Sequence, residues 1–566
     1  MRVTASSNGV RVNAIAGTRV VLLGFDIDQA QRAGCLGFAI QRHDLKTGEV
    51  VWMRGMKTFE KNQPHTTLGQ MFSSQQHPFQ SFQWLDYSVN PGQGYTYEVH
   101  PTYGTPQALA VRDGAEVTVS TETEWGEPHS VFFNRGSVAT QEYARRFQNR
   151  RPSEVGQAAY DWLSRGLHEA LLAFIARADS SDWKVYAAIY EFQDAPALDA
   201  LAQASARGAE VHALFDAIPG DDHPLVKNEK AIAAAGIDAL CIPRTHGKIM
   251  HNKFVVLTYK GTAKAVWTGS TNWTENGIYG HSNLGHVVQD DVLAQAFLTY
   301  WERLSTDPKT DRTSDYKASN VAQTPAPVAD WPRNLACVFS PRSNPDALDW
   351  YGELAASASS GLFASFAFGM NKVFQKVFAR DDDDVLRFAL MDKRTAQTRE
   401  PARSNDLAAI HAIAARKNVV LAVGNNIVTN EFDRWLAEMH QIVDHVNVPW
   451  IHTKYMLIDP LGDKPIVISG SANFSDASTT ENDENMLVIY ADKRVADIYL
   501  GEFMRLHSHY AFREAVAIHV EHGGKPDDWR PQYLLDTDAW QSPYFNPDDS
   551  SGRFLRRQFF AQAMSL

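Results

Sequence analysis

Up to about residue 140 the apolar positions of this chain alternate with polar ones or come in short runs. Arg19-Val-Val-Leu-Leu-Gly, Cys35-Leu-Gly-Phe-Ala-Ile and Val50-Val-Trp-Met have the length and composition of strands. Tyr95, Tyr97 and Val99 alternate with Thr96, Glu98 and His100, so the two rings and the valine share one strand face. Pro91-Gly92-Gln93-Gly94 supplies turn chemistry before that strand, and Val117-Thr-Val-Ser reads as another strand. About six or seven short strands in roughly 120 residues predict an all-β, immunoglobulin-like sandwich over residues 1–140. The stretch from Lys57 to Gln80, rich in His, Gln and Ser, predicts a long loop or insertion.

Near Glu142 the period changes. Helical spacing over 155–178 is followed by a strand at 185–192, a helix at 197–207 and a strand at 211–215. The same order returns later: helix 346–358, strand 362–368, helix 372–379, strand 385–391, helix 406–416, strand 419–423. Alternating β and α of this kind predicts sheets covered by helices. The aperiodic stretch 306–333 predicts a linker, which gives one α/β half at 141–305 and another at 334–510. The tail, 511–566, holds Trp529, Tyr533, Trp540, Tyr544, Phe545, Phe559 and Phe560, too aromatic for disorder, and predicts a segment wrapped on the body.

Composition narrows the class. Of 566 residues, 44% are hydrophobic and 21% charged, the balance of a soluble protein with several cores. The net charge of −12 argues against general nucleic-acid binding, although a local basic cleft is compatible with it. Three scattered cysteines (Cys35, Cys241, Cys337) form neither a disulfide framework nor a zinc spacing and read as small buried apolar residues. The start has no charged segment followed by an apolar run, and no run of 18 apolar residues occurs. The expected location is therefore cytoplasmic; an export route without a signal would leave no mark.

The candidate chemistry lies in a repeat. His251-Asn-Lys253 is followed by Gly269-Ser270-Thr271-Asn272, and His452-Thr-Lys454 by Gly470-Ser471-Ala472-Asn473. In both, the glycine is eighteen and the asparagine twenty-one after the histidine, and the copies are 201 residues apart. Residues two apart on a strand share a face, so each half projects an imidazole and an ammonium together. Two such halves facing each other would build a pocket for a tetrahedral anion from His251, Lys253, Ser270 and Asn272 with His452, Lys454, Ser471 and Asn473. Further on, Asn283 and Asn485 each open an apolar stretch, with Arg303 and Arg505 twenty residues later.

The doubled His-x-Lys-(x4)-Asp…Gly-Ser-x-Asn pattern resembles the phospholipase D superfamily over residues 155–510. The resemblance implies two fused homologous α/β/α domains sharing one pseudo-two-fold site. The second copy is complete with Asp459 and with Glu484, where members carry a glutamate that bonds the histidine; these two are expected as supporting residues. The first copy departs, with Thr258 in place of the aspartate and Ser282 read as the position of Glu484. The family chemistry attacks phosphorus with one imidazole, forms a phosphohistidine and uses the other imidazole as acid and base. The first motif usually supplies the nucleophile, which assigns that role to His251 and the acid–base role to His452. Lysines and asparagines neutralise the non-bridging oxygens, so no metal or cofactor is expected.

The expected function is thus a phosphodiester hydrolase acting on a phospholipid headgroup at a membrane surface, with transfer to alcohols as a second outcome. The alternatives are a nuclease of the same superfamily and a phosphate-binding scaffold without catalysis. A monomer would suffice for the site. Asp381–Asp384 reads as a solvated turn rather than a cation site, His246 as a loop residue, and His223 and His286 as ordinary residues. Ser270 and Ser471 lack a nucleophile elbow and read as anion-binding groups.

Overall fold

The computed structural model describes residues 1–566 apart from 67–69, 222, 312–313, 329–333, 381–383, 396, 425–450, 526–528 and 563–566. Asp381–Asp383 and so most of the acidic run lie outside the described residues.

The N-terminal unit is all-β. One antiparallel sheet contains Arg2–Ser7, Val10–Ala16, Val21–Ile27 and Gln83–Asp86. A second is built on the long strand Gly94–Thr105, which pairs with Gly37–Asp44, Ala108–Val111 and Ala115–Ser120. As the alternation predicts, Tyr95, Tyr97 and Val99 are buried, packed with Phe25, Phe38 and Phe82.

Two seven-stranded sheets follow, and their topologies are identical. The first runs, edge to edge, 129–133, 284–288, 262–269, 253–259, 183–189, 210–216, 241–244. The second runs 335–340, 484–490, 466–470, 455–458, 361–366, 386–391, 419–423. In both, five consecutive strands pair antiparallel and the last two pairings are parallel. The strand of each sheet that comes last in sequence, 284–288 or 484–490, is followed by a helix capped by an aspartate: Asp290 accepts from Leu293 N ahead of Asp291–Ser305, and Asp492 from Val495 N ahead of Lys493–Glu521. Such caps satisfy the otherwise orphaned first-turn donors, worth about 1 kcal/mol each.

These two helices form the seam between the halves. Phe297 packs edge-on to Phe254 of the first sheet and to Phe339 of the second. Tyr499 meets Phe133 of the first sheet and Tyr455 of the second. The shared core holds the halves in one register, which is what a site built from both requires.

Three boundaries differ from the sequence reading. His129–Phe133, expected in the N-terminal unit, is the edge strand of the first α/β sheet, paired with Leu284–Val288. A short apolar run carries no record of its partner, so its sheet was not visible. The linker 306–333 contains the helix Asp315–Gln323, with Tyr316 and Asn320 buried. The long helix Lys493–Glu521 runs past 510, and the wrapping tail is formed by the parts beyond it. There Trp540 packs on Phe38 and Phe82 of the N-terminal all-β unit, and Phe559 and Phe560 on Phe363 of the second half.

Candidate active site

Each motif histidine sits just ahead of a central strand, Lys253–Tyr259 or Tyr455–Ile458, at the sheet end facing the other half. The approach to each is fixed by a buried carboxylate. Asp216 accepts from Met250 N at 2.8 Å, and Asp392 accepts at 2.9 Å from Ile451 N, 201 residues after Met250. The halves are stitched by two reciprocal parallel bridges, Met250 with Asp483 and Ser282 with Ile451. Across them His251 N donates to Asp483 O at 3.0 Å and His452 N to Ser282 O at 3.2 Å. The glycine of each Gly-Ser-x-Asn run permits a close crossing: a Cβ on Gly269 would stand 2.4 Å from Leu284 O, and one on Gly470 2.2 Å from Asn485 O.

All four motif residues of catalytic type converge. The rings of His251 and His452 have centroids 6.2 Å apart at 76° and are 8% and 6% exposed. Lys253 and Lys454 are buried, each ammonium turned to the carbonyl of its own half's histidine. Burial pushes the Lys253 amine down to about 7, against the pull of Glu484, Glu191 and Asp216. Burial, with Lys253 beside it, holds Lys454 well below the ordinary lysine range. Burial thus disfavours the charged form of both amines, and a nearby anion would favour it.

The supporting residues correct the sequence reading. Glu484 does not hold the histidine of its own half. Both its oxygens lie 2.9–3.0 Å from His251 Nδ1, and it accepts from Ser471 Oγ at 2.7 Å. Its counterpart is Asn283 rather than Ser282. Asn283 Oδ1 lies 3.0 Å from His452 Nδ1 and accepts from Ser270 Oγ at 2.7 Å, thirteen residues from the serine in both halves. The 201-residue offset applied strictly would have paired Asn283 with Glu484; matching the asparagines Asn283 and Asn485 shifted the alignment by one. Both histidines thus have Nδ1 tied to an acceptor, which leaves Nε2 for chemistry.

Asp459 is not part of the site. It follows the strand Tyr455–Ile458 at the end away from His452, and accepts from the backbone N–H groups of Ser359, Ser360 and Gly361 at 2.7–3.0 Å. Burial opposes its charge, yet these bonds hold the carboxyl below its usual range. Its counterpart Thr258 is buried with Oγ1 unpartnered among the described residues. The serines and asparagines divide too. Ser270 and Ser471 are fully buried and bond Asn283 and Glu484, so they brace the histidine supports. Asn272 Nδ2 donates to Glu191 Oε2 at 2.5 Å, and Asn473 is half-buried with Oδ1 unpartnered among the described residues.

Some site residues were not foreseen. Tyr190 lies 5.2 Å, centroid to centroid, from the His251 ring, and His281 stacks on His452 at 5.3 Å and 27°. Glu191 follows the strand Trp183–Ile189, and burial raises its carboxyl above the usual range, against Lys253 and Asn272. None carries a motif of its own; their positions come from the sheet ends. His246 is exposed and bonds Asp307 at 2.8 Å, as a loop residue should. His223 approaches Asp216 at 3.4 Å, while His286 is a core residue bonded to His129 and Tyr499.

Burial drives His251 down to about 4, with Glu484 opposing and Lys253 reinforcing. Burial, Lys454 and His281 place His452 well below the ordinary imidazole range. At neutral pH the resting site therefore holds two neutral rings, one backed by a carboxylate and one by a carboxamide.

A sequence profile for the family described as "Cardiolipin synthase, PLD-like domain" matches residues 171–305 and again 383–507, one match for each half. The chain belongs to the phospholipase D superfamily. No curated protein matches it in sequence. Similar solved structures include polyphosphate kinase from Porphyromonas gingivalis, 11% identical with TM-score 0.36 over 71% of this chain and 54% of that one. Phosphatidylserine synthase from Haemophilus influenzae Rd KW20 is 12% identical with TM-score 0.42 over 62% of this chain and 88% of that one. Nuc from Salmonella typhimurium, a phospholipase D family member, is 19% identical with TM-score 0.23 over 31% of this chain and 94% of that one. The chain thus spans about half of the polyphosphate kinase. TM-scores this low carry no conclusion about activity.

Proposed function

We propose that this protein is a phosphodiesterase that works through a phosphohistidine, with a phospholipid headgroup diester as substrate and water or an alcohol as acceptor. The observation that carries the reading is the pair of imidazoles 6.2 Å apart, each with Nδ1 engaged and Nε2 left for the reaction, flanked by two buried lysines. A phosphoryl centre between them meets a nucleophile on one side and an acid on the other.

His251 is the nucleophile in this reading. Glu484 keeps its proton on Nδ1, so the Nε2 lone pair attacks phosphorus, and the carboxylate then balances the positive ring of the phosphorylated histidine. His452, charged when the anionic substrate binds, passes its Nε2 proton to the leaving oxygen as the P–O bond breaks. A neutral Asn283 behind it leaves it the stronger acid. In the second step water or an alcohol gives its proton to His452 Nε2 as it attacks phosphorus, and the P–N bond breaks. Lys253 and Lys454 balance the charge on the non-bridging oxygens. The lipid assignment draws on the net charge of −12 and on the cardiolipin synthase family description.

The test is an activity panel in EDTA with phosphatidylcholine vesicles, single- and double-stranded DNA and bis(p-nitrophenyl) phosphate, on wild type and His452→Ala. Wild type should release headgroup and leave DNA intact. The variant should lose roughly 10⁴-fold in kcat on lipid. On the nitrophenyl ester, whose leaving group needs no proton, it should accumulate an acid-labile phosphopeptide containing His251. Cleaved DNA with untouched lipid would assign a nuclease. Phosphate on His452 in a His251→Ala counterpart would reverse the two roles, and no turnover of any diester by wild type would leave a phosphate-binding scaffold.

A further inference from the structure

The halves part company where the chain leaves the strand Trp183–Ile189 and its twin Gly361–Phe366. Ala187 pairs with Val255 and Ala364 with Met456, and Val255 and Met456 are themselves equivalent, 201 residues apart. Four residues beyond these anchors stand Glu191 in the first half and Phe368 in the second. The phenylalanine is half-buried, with Lys393 Nζ 5.3 Å above its ring. One side of the cleft thus offers an anion where the other offers an aromatic ring.

Glu191 is half-buried and adjoins the phosphate-binding groups. Its carboxylate takes the Asn272 Nδ2 donor and feels the basic side chains of Lys253, Lys227 and Lys454. Asn272 is 6% exposed, and with its amide nitrogen committed to Glu191 its Oδ1 is left unpartnered among the described residues. This end of the cleft therefore presents a carboxylate and a buried carbonyl, both acceptors. Phosphate oxygens, also acceptors, do not satisfy them, whereas a ligand bringing a donor does. The basic side chains of Lys253, Lys227 and Lys454 already act on the carboxylate, so a neutral hydroxyl suits it better than a further cation.

We propose that Glu191 and Asn272 form a subsite for a hydroxyl group on the alcohol esterified to the phosphate, as in an ester of glycerol. The inference rests on the reading above only in taking the phosphate to lie between His251 and His452. The Glu191 carboxylate accepts the hydroxyl proton, the Asn272 carbonyl takes a second donor, and an alcohol without a free hydroxyl leaves both wanting. The equivalent end keeps the carbonyl of Asn473 but has Phe368 where the carboxylate would stand, and takes the less polar substituent.

The test is calorimetric binding of glycerol 1-phosphate, ethyl phosphate and choline phosphate to the full chain, as wild type, Glu191→Leu and Glu191→Gln. Wild type should bind glycerol 1-phosphate about tenfold more tightly than ethyl phosphate, the range of one hydrogen bond to a charged acceptor. Choline phosphate should bind no more tightly than ethyl phosphate. Glu191→Leu should bring the glycerol-to-ethyl ratio to about 1, and Glu191→Gln, which keeps an acceptor, should restore part of it. Should the leucine variant not fold, the intermediate ratio of the glutamine variant carries the test. Equal binding of glycerol and ethyl esters by wild type would overturn the subsite. So would tightest binding of choline phosphate, or a parallel loss of all three ligands in both variants, which would make Glu191 a brace for Lys253. Bis(p-nitrophenyl) phosphate assayed alongside separates the two readings. Selective glycerol phosphate binding without turnover keeps the subsite and removes the catalytic reading; turnover without selectivity does the reverse.

Discussion

The first and second halves share one topology, strand for strand, yet their active-site supports are exchanged and unequal. The carboxylate of the second half, Glu484, holds the histidine of the first, and the carboxamide of the first, Asn283, holds the histidine of the second. A duplicated fold places two imidazoles symmetrically, whereas the proposed two-step transfer needs one to attack and the other to deliver a proton. The difference of acid against amide at equivalent positions, Glu484 and Asn283, breaks the symmetry behind the two rings. Because the supports cross the seam, neither half holds its own histidine, and the site exists only when both halves are docked.

The largest expected effect comes from altering that difference. Glu484→Gln removes the charge behind His251 while keeping the shape. We expect kcat to fall roughly 10²-fold, the usual cost of losing such an orienting carboxylate. Glu484 holds the His251 pKa up against burial, so without it the already low value of about 4 falls further. In the proposed mechanism His251 attacks as the neutral ring. The acid limb of kcat/KM should therefore move to lower pH in the variant, even as the rate drops. Asn283→Asp makes the converse change. It gives His452 a carboxylate, raises its pKa and makes it a weaker acid, so substrates with poor leaving groups should suffer more than nitrophenyl esters. An acid limb that stayed in place in Glu484→Gln would mean that the crossed support does not tune the nucleophile.

Much of this is legible in the amino-acid sequence. The α/β strands and helices of both halves fall within a few residues of their expected positions, because 3.6- and 2-residue periods and the 201-residue repeat are written locally. The convergence of His251, Lys253, His452 and Lys454 was legible as well, since the doubled spacing makes sense only if the halves meet. The crossing of supports was not, because it depends on the parallel bridges between 250 and 483 and between 282 and 451, and bridges between distant loops leave no period. Asp459 shows the opposite failure. Its place in the motif suggested a role at the site, yet five residues of strand and turn carry it to the far end of the sheet, where it ties down Ser359, Ser360 and Gly361.

That correction separates the halves a second time, at Asp459 and its counterpart Thr258. Asp459→Ala removes the acceptor of three backbone donors and leaves them to water. It should cost about 1–3 kcal/mol in urea unfolding and change kcat by less than about threefold once folded protein is compared, since catalytic loss follows contact with reacting atoms. Thr258→Ala should cost less, because its hydroxyl has no partner to lose among the described residues. A fall in kcat of about 10²-fold in Asp459→Ala with unchanged stability would return Asp459 to the site.

The smallest effect concerns the edge of each sheet. In the first, His129 and His286 lie buried with Nδ1 and Nε2 2.9 Å apart, and His286 also bonds the Tyr499 hydroxyl at 3.0 Å. The second sheet places Leu335 and Leu487 at the equivalent positions, since His129 pairs across from Val288 and Leu335 from Ile489, 201 residues on. Burial holds His129 down at about 4, against the pull of Asp492, and holds His286 well below 6.5, with His129 and Arg494 reinforcing it, so the native pair stays neutral. The unfolded chain takes up protons at these histidines below about pH 6.5, and the folded chain does not until about pH 4. The folded pKa values are the lower ones, so the stability tied to the pair is present above pH 6.5 and lost as the pH falls toward 4. Replacing both with the leucines of the second half, His129→Leu with His286→Leu, removes two proton-binding sites from the unfolded state. The acid midpoint of unfolding should move down by about half a pH unit, while stability at pH 8 changes by no more than about 1–2 kcal/mol, the lost Tyr499 bond set against two better-buried side chains. An acid midpoint unchanged in the double variant would show that the first sheet's acid sensitivity, if measured, arises at the motif histidines rather than at this edge.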